Sequence, residues 1–128
     1  MAIFLSVEDV LQIHADTLQA EGGGTGLRDL GLLESAVAQP YAEMFGQVFH
    51  PDLASQAAAY VFHIATNHPF VDGNKRAAAG AAAVFLAVNG APPVDFLELR
   101  DLVLGVASGA VDKDATVRWF SKRVGPPK

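Results

Sequence analysis

Residues 77–88 read Ala-Ala-Ala-Gly-Ala-Ala-Ala-Val-Phe-Leu-Ala-Val, twelve consecutive positions without a polar side chain. This run restricts the fold more tightly than any other. It is too short to cross a bilayer, which takes about 20 apolar residues. It is rich in alanine, the best helix former, and is followed by Asn89-Gly90, a common helix stop. A helix that is apolar on all sides has to be covered by other elements, and its small side chains admit those neighbours at close range. The chain is therefore expected to pack around a buried central helix over residues 75–89.

The remaining segments supply the covering helices. Ser6 precedes Val7, Val10, Leu11, His14 and Leu18, which recur at helical spacing. Ser6 and Asp9 form a variant capping box, with Asp in place of the usual Glu. Gly22-Gly23-Gly24 should end this helix through backbone entropy. Residues 25–29 read as a loop into a short helix with Leu30, Leu33, Ala36 and Val37 on one face, ended by Pro40. Residues 41–49 fit either a short helix or an aromatic-rich loop. Asp52 is placed to cap a helix over residues 53–66. Asp95 is placed to cap one carrying Phe96, Leu99, Leu102, Val103 and Val106, and Asp112 or Asp114 a last one with Val117, Trp119, Phe120 and Val124. No repeat and no strand-like alternation is present. The expected fold is all-α: a single compact domain over residues 1–128 with five to seven helices, residues 124–128 forming a frayed tail.

Hydrophobic residues at 51% and charged residues at 18% exclude intrinsic disorder. Nine Lys and Arg against fourteen Asp and Glu give a net charge of −5, so direct nucleic-acid binding is not expected without a local basic patch. The chain has no cysteine, which excludes disulfides, thiolate catalysis and Cys-type zinc sites. That fits a cytoplasmic protein. The start, Met1-Ala2-Ile3-Phe4-Leu5, lacks the basic residues of an export signal, and no membrane anchor is expected.

The informative chemistry precedes the apolar run: His68-Pro69-Phe70-Val71-Asp72-Gly73-Asn74-Lys75-Arg76. Pro69 pushes His68 out of helical geometry, and Gly73 permits a tight turn into the next helix. The first turn of that helix exposes N–H groups that favour an anion. Lys75 and Arg76 add full charge, so Gly73, Asn74, Lys75 and Arg76 make a candidate phosphate site. Asp72 is a hard oxygen donor suited to Mg²⁺. His68 carries an imidazole that can take a proton from an attacking hydroxyl. Taken singly, each residue also has a plain role: Asn74 as a cap, Lys75 and Arg76 as solvated first-turn residues, His68 as a backbone-bonded loop histidine. Their conjunction favours function.

This stretch resembles the signature of the Fic/Doc family in its Doc (death-on-curing) form. The general Fic pattern is His-x-Phe-x-(Asp/Glu)-Gly-Asn-Gly-Arg, and the Doc form has Lys at the position of Lys75. Flanking landmarks are similar too: Phe4-Leu5-Ser6 to His14, Gly26-Leu27-Arg28-Asp29, Gly31-Leu32-Leu33-Glu34-Ser35-Ala36, Pro40, and Phe85-Leu86 to Asn89-Gly90. The likeness spans roughly residues 3–123. It implies an all-α Fic fold, Mg²⁺ and ATP as cofactor and co-substrate, and His68 as general base. It also implies Asp72 as metal-binding acid, Phe70 as buried anchor, and Gly73, Asn74, Lys75 and Arg76 as the nucleotide site. It further implies a toxin restrained by a cognate antitoxin, Phd-like or another short protein, that phosphorylates a hydroxyl of a translation factor such as elongation factor Tu. Lys75 would fill the space a glycine leaves and reverse the nucleotide, presenting the γ-phosphorus rather than the α-phosphorus. AMP transfer is the alternative chemistry. Ala77 departs from the Thr found in many relatives.

Other residues carry weaker signals. Arg28 and Asp29 fit either a cleft or a surface pair, and Glu34 reads as exposed. His14, His50 and His63 read as structural. Tyr41, Phe45 and Phe49 fit a satellite core or the rim of a docking groove. Residues 25–38 also resemble part of a helix-turn-helix, which would make the chain a non-catalytic antitoxin or DNA-binding module.

Overall fold

The computed structural model describes residues 2–22 and 26–125. Six α-helices run in order: α1 (Val7–Glu21), α2 (Leu30–Ala38), α3 (Leu53–Asn67), α4 (Asn74–Val88), α5 (Phe96–Ser108) and α6 (Lys113–Val124). A 3-10 turn, Gln39–Tyr41, follows α2 and leads to a small hairpin, β1 (Glu43–Met44) and β2 (Gln47–Val48). None of the helices among the described residues is long and apolar enough to cross a membrane.

Side-chain caps start five of these helices. Ser6 and Asp9 form the reciprocal capping box of α1. Asp29 caps α2, Asp52 caps α3 with Ser55 reciprocating, Asp95 caps α5, and Asp112 rather than Asp114 caps α6. Each such cap contributes about 1 kcal/mol.

Helices α3 and α4 form the centre. They pack most extensively on each other, and α3 also meets α2, α5 and α6 while α1 and α5 cover α4. On α4, Ala77, Ala78, Ala81, Ala82 and Phe85 are fully buried. The expected all-round burial is corrected at its last two turns, where Val84 and Val88 are 38% and 46% exposed. Among the described residues α1, α3 and α5 are the helices packed on it, and they leave that strip open. Asn89 ties the chain start to the end of α4. Its Oδ1 accepts from Ile3 N–H at 2.7 Å and its Nδ2 donates to the Ile3 carbonyl at 2.9 Å.

Gly80 sets how closely α1 approaches. A Cβ added there would lie 2.6 Å from Ile13 Cγ2. That methyl sits on a β-branched side chain whose χ1 is fixed in a helix, so it cannot swing aside. Gly80→Ala gains about 1 kcal/mol of helix propensity but meets an overpacking cost of about 1–3 kcal/mol. A net loss of about 1 kcal/mol is expected as a lower urea midpoint. An unchanged or raised midpoint would show that the two helices are free to separate.

The hairpin settles residues 41–49. Glu43 pairs with Val48 and Met44 with Gln47, through a two-residue turn with Phe45 at φ 52° and Gly46 at φ 78°. Positive φ at both turn residues is the type I′ signature. The satellite-core reading is overturned: Tyr41, Phe45 and Phe49 are all exposed, Phe45 almost completely at the tip of the turn, although Tyr41 keeps an edge-on contact with the Phe4 ring.

Candidate active site

The nine-residue motif forms the junction between α3 and α4. Helix α3 ends at His68, which takes a left-handed conformation with φ 50° and ψ 56°. Non-glycine residues seldom adopt that region, although histidine does so more than most. Pro69 then prevents any return to the helix.

The loop backbone is held by side chains from distant parts of the chain. Arg28 donates from Nε to the His68 carbonyl at 2.6 Å and from Nη2 to the Asn67 carbonyl at 3.0 Å. The backbone N–H groups of Arg28 and Asp29 both donate to the Pro69 carbonyl, and Val71 N–H donates to the Gly26 carbonyl. Leu27 and Phe70 form an antiparallel bridge. Residues 26–29 are thus an extended segment paired to the motif loop, and the helix-turn-helix likeness is not realised there. Residues 23–25 of the glycine-rich connector lie outside the described residues.

Phe70 anchors the loop as expected. It is buried and stacks on the His14 ring, with centroids 3.7 Å apart and planes at 5°. His14, itself buried, donates from Nε2 to the Asp72 carbonyl at 2.7 Å. Asn74 reaches back to Phe70: its Oδ1 accepts from Phe70 N–H at 2.9 Å and its Nδ2 donates to the Phe70 carbonyl at 3.0 Å. Its amide braces the turn from both sides. Gly73 N–H donates to Asp72 Oδ1 at 2.8 Å. A loop whose carbonyls find partners at Asn67, His68, Pro69, Phe70 and Asp72 is preorganised rather than solvated.

Helix α4 begins differently from the other five. Its N-cap is Gly73, at φ 80° and ψ 19°, and no side chain caps it. A Cβ at Gly73 would meet the His14 ring at 3.3 Å. The open first turn therefore depends on glycine for both conformation and space. The positive end of its dipole favours an anion at this start.

That end borders a cleft of about 520 Å³, lined by His68, Val71, Asp72, Gly73, Asn74, Lys75 and Arg76. All six candidate residues come together there. The far wall is Leu104, Ala107 and Ser108 of α5, which the sequence reading missed. Their spacing is that of any amphipathic helix, so only the folded chain reveals them. Lys75 and Asp72 are exposed, whereas Arg76 is partly buried. Arg76 Nη1 donates to the Gly22 carbonyl at 2.8 Å, tying the end of α1 to the site. Among the described residues Asp72 is the single carboxylate lining the cleft, and no three His, Asp or Glu side chains gather as a metal cluster.

The other singled-out residues sit elsewhere. Asp29 caps α2, and Glu34 is exposed on that helix. His63 lies between α3 and α6, where the Lys113 ammonium donates to its Nε2 at 3.0 Å. Burial, then Lys113 and His50, push the His63 pKa down to about 4. Burial also lowers Lys113, which Asp114 opposes, and burial with Lys113 lowers His50. A histidine depressed in the fold stabilises fully above its unfolded pKa of about 6.5, and that contribution fades as pH falls towards 4. Discounting for solvent at this half-buried ring leaves on the order of 1–2 kcal/mol. Urea unfolding at pH 7 and pH 4.5 should show this loss, reduced in His63→Gln; equal pH dependence in both proteins would remove His63 as its source.

The fold and the loop define an all-helical domain organised around an uncapped helix start that opens on a cleft. The chain belongs to the Fic/Doc family: a sequence model described as "Fic/DOC family" matches residues 4–86. Its affinity is to the Doc subfamily. It is 42% identical over 118 residues to Toxin Doc of Mycolicibacterium smegmatis, covering 90% of this chain and 88% of that protein. It is 33% identical over 107 residues to Protein kinase doc of Escherichia phage P1, covering 84% of each.

Proposed function

We propose that this chain is a Doc-type toxin of a toxin–antitoxin pair, acting in the cytoplasm as an ATP-dependent protein kinase. Its acceptor is a Ser or Thr hydroxyl of a translation factor of the elongation factor Tu kind. The observation that carries the reading is the uncapped, doubly basic start of α4, set in one cleft with His68 and Asp72. The names of the two relatives, a toxin and a protein kinase, agree with it.

In this reading the first-turn amides, Lys75 and Arg76 hold the phosphate chain. His68 takes the proton from the acceptor hydroxyl as its oxygen attacks the γ-phosphorus, and the bond to the bridging oxygen breaks to release ADP. Phosphoryl transfer depends on such positioning and charge stabilisation. One carboxylate suits Mg²⁺, which is commonly held by one or two carboxylates plus substrate phosphates. Asp72 would be the residue that holds it, and the ion would neutralise charge on the phosphates.

A second cleft, also about 520 Å³, runs between α1, α4 and α5 and shares Lys75, Arg76 and Leu104 with the first. It is lined by Ala20, Ala79, Phe96 and Val103, with Arg100 and Asp16 among its charged groups. An antitoxin segment lying there would meet Lys75 and Arg76 and close off the anion site. The test uses ATP labelled at the γ- or the α-phosphate with a cell extract arrested by the toxin. Label from the γ position on one protein, lost on adding antitoxin, is expected. Label from the α position would replace phosphoryl with AMP transfer.

A further inference from the structure

We infer that Arg28 is a positioning residue that sets the His68 base. The inference rests on the proposed phosphoryl transfer, in which His68 takes the acceptor proton. Arg28 lies forty residues before His68, and its planar guanidinium straps two successive carbonyls, those of Asn67 and His68. They terminate α3, where carbonyls lack helical partners and positive charge is favoured. The same residue's N–H donates to the next carbonyl, that of Pro69, at 2.7 Å. Three consecutive peptide units around His68 are thus fixed by one residue, and the left-handed backbone at His68 is over-determined.

Arg28 is not among the residues that line the motif cleft. It reaches the reaction through the His68 backbone rather than through the nucleotide. It is also exposed, so the strap adds little to global stability. Removing it should shift the base while leaving the fold intact. A lysine supplies charge but only a point donor, and it cannot fork across two carbonyls.

The test compares the parent with Arg28→Ala and Arg28→Lys, measured well below their melting temperatures. A displaced base should lower kcat by roughly 10- to 100-fold. The KM for ATP should stay within about threefold, because nucleotide binding is untouched. Arg28→Lys should melt like the parent yet show the lower kcat. Hydrogen–deuterium exchange of residues 67–71 should rise in both variants. Parental kcat in Arg28→Lys would overturn the proposal, since charge alone would then suffice. So would a higher KM with unchanged kcat, which would place Arg28 on the nucleotide. If the parent itself transfers no phosphoryl group, the reaction assigned above fails separately. Exchange then decides on Arg28: lost protection upholds its hold on His68, and parental protection refutes it.

Discussion

His68→Ala is expected to lower γ-phosphoryl transfer by about 10²- to 10⁴-fold, the range that general-base catalysis contributes. The proposed acceptor is a hydroxyl, a weak nucleophile until its proton is taken, and among the described residues His68 is the one histidine lining the cleft. The substitution isolates this role. Alanine tolerates the left-handed backbone at φ 50° less readily than histidine, a small added strain that the bonds bracing the loop still hold. The ring is exposed, and the bonds that hold this residue use its carbonyl, which alanine keeps. The variant should therefore fold, bind ATP with near-parental affinity, and fail to label its target. Expression of the parent should arrest growth and expression of the variant should not. Label transfer within a few-fold of the parent would remove His68 as the base and leave positioning by the anion site as the whole of catalysis.

The elements visible in the sequence were those with local causes. Caps at Ser6, Asp52 and Asp95 are encoded within four residues, and so are the helices that follow them. The motif was also local: nine adjacent residues that must meet at one turn because Pro69 and Gly73 force it. What escaped has long-range causes. His14 and Arg28 brace the loop from 58 and 40 residues away, and no spacing rule connects them to it. The two-residue strands at 43–48 are too short to show alternation, and the turn places a phenylalanine where glycine or asparagine is usual. Asn74 shows a subtler limit. The sequence placed it at the anion site, and it does line the cleft, yet both ends of its amide grip Phe70. An adjacent residue can shape a site through the backbone of its neighbours, and residue type alone does not distinguish that role from contact with a ligand.

The bracing also explains why one charge should decide the reaction. With the loop fixed from Arg28 to His14, a nucleotide bound as proposed would adapt to the site rather than the reverse, and Lys75 is the exposed charge at the first turn of α4. It lines both clefts, so its side chain stands between the anion site and the apolar groove. Lys75→Gly removes a cation from the phosphate chain and opens space against the amides of α4. Loss of one preorganised donor lowers transfer by about 10²- to 10³-fold, and that fall is expected for the γ-phosphoryl group. The same change recreates the Gly-Asn-Gly-Arg order of the general Fic pattern, so phosphate can settle directly on the backbone and bring the α-phosphorus to the acceptor. Label from α-labelled ATP should then appear on the target, where the parent gives none. A fall in γ transfer without gain of α transfer would assign Lys75 charge stabilisation alone, with the pose fixed elsewhere in the cleft. Unchanged γ transfer would show that the open amides of α4 and Arg76 carry the phosphate chain without it.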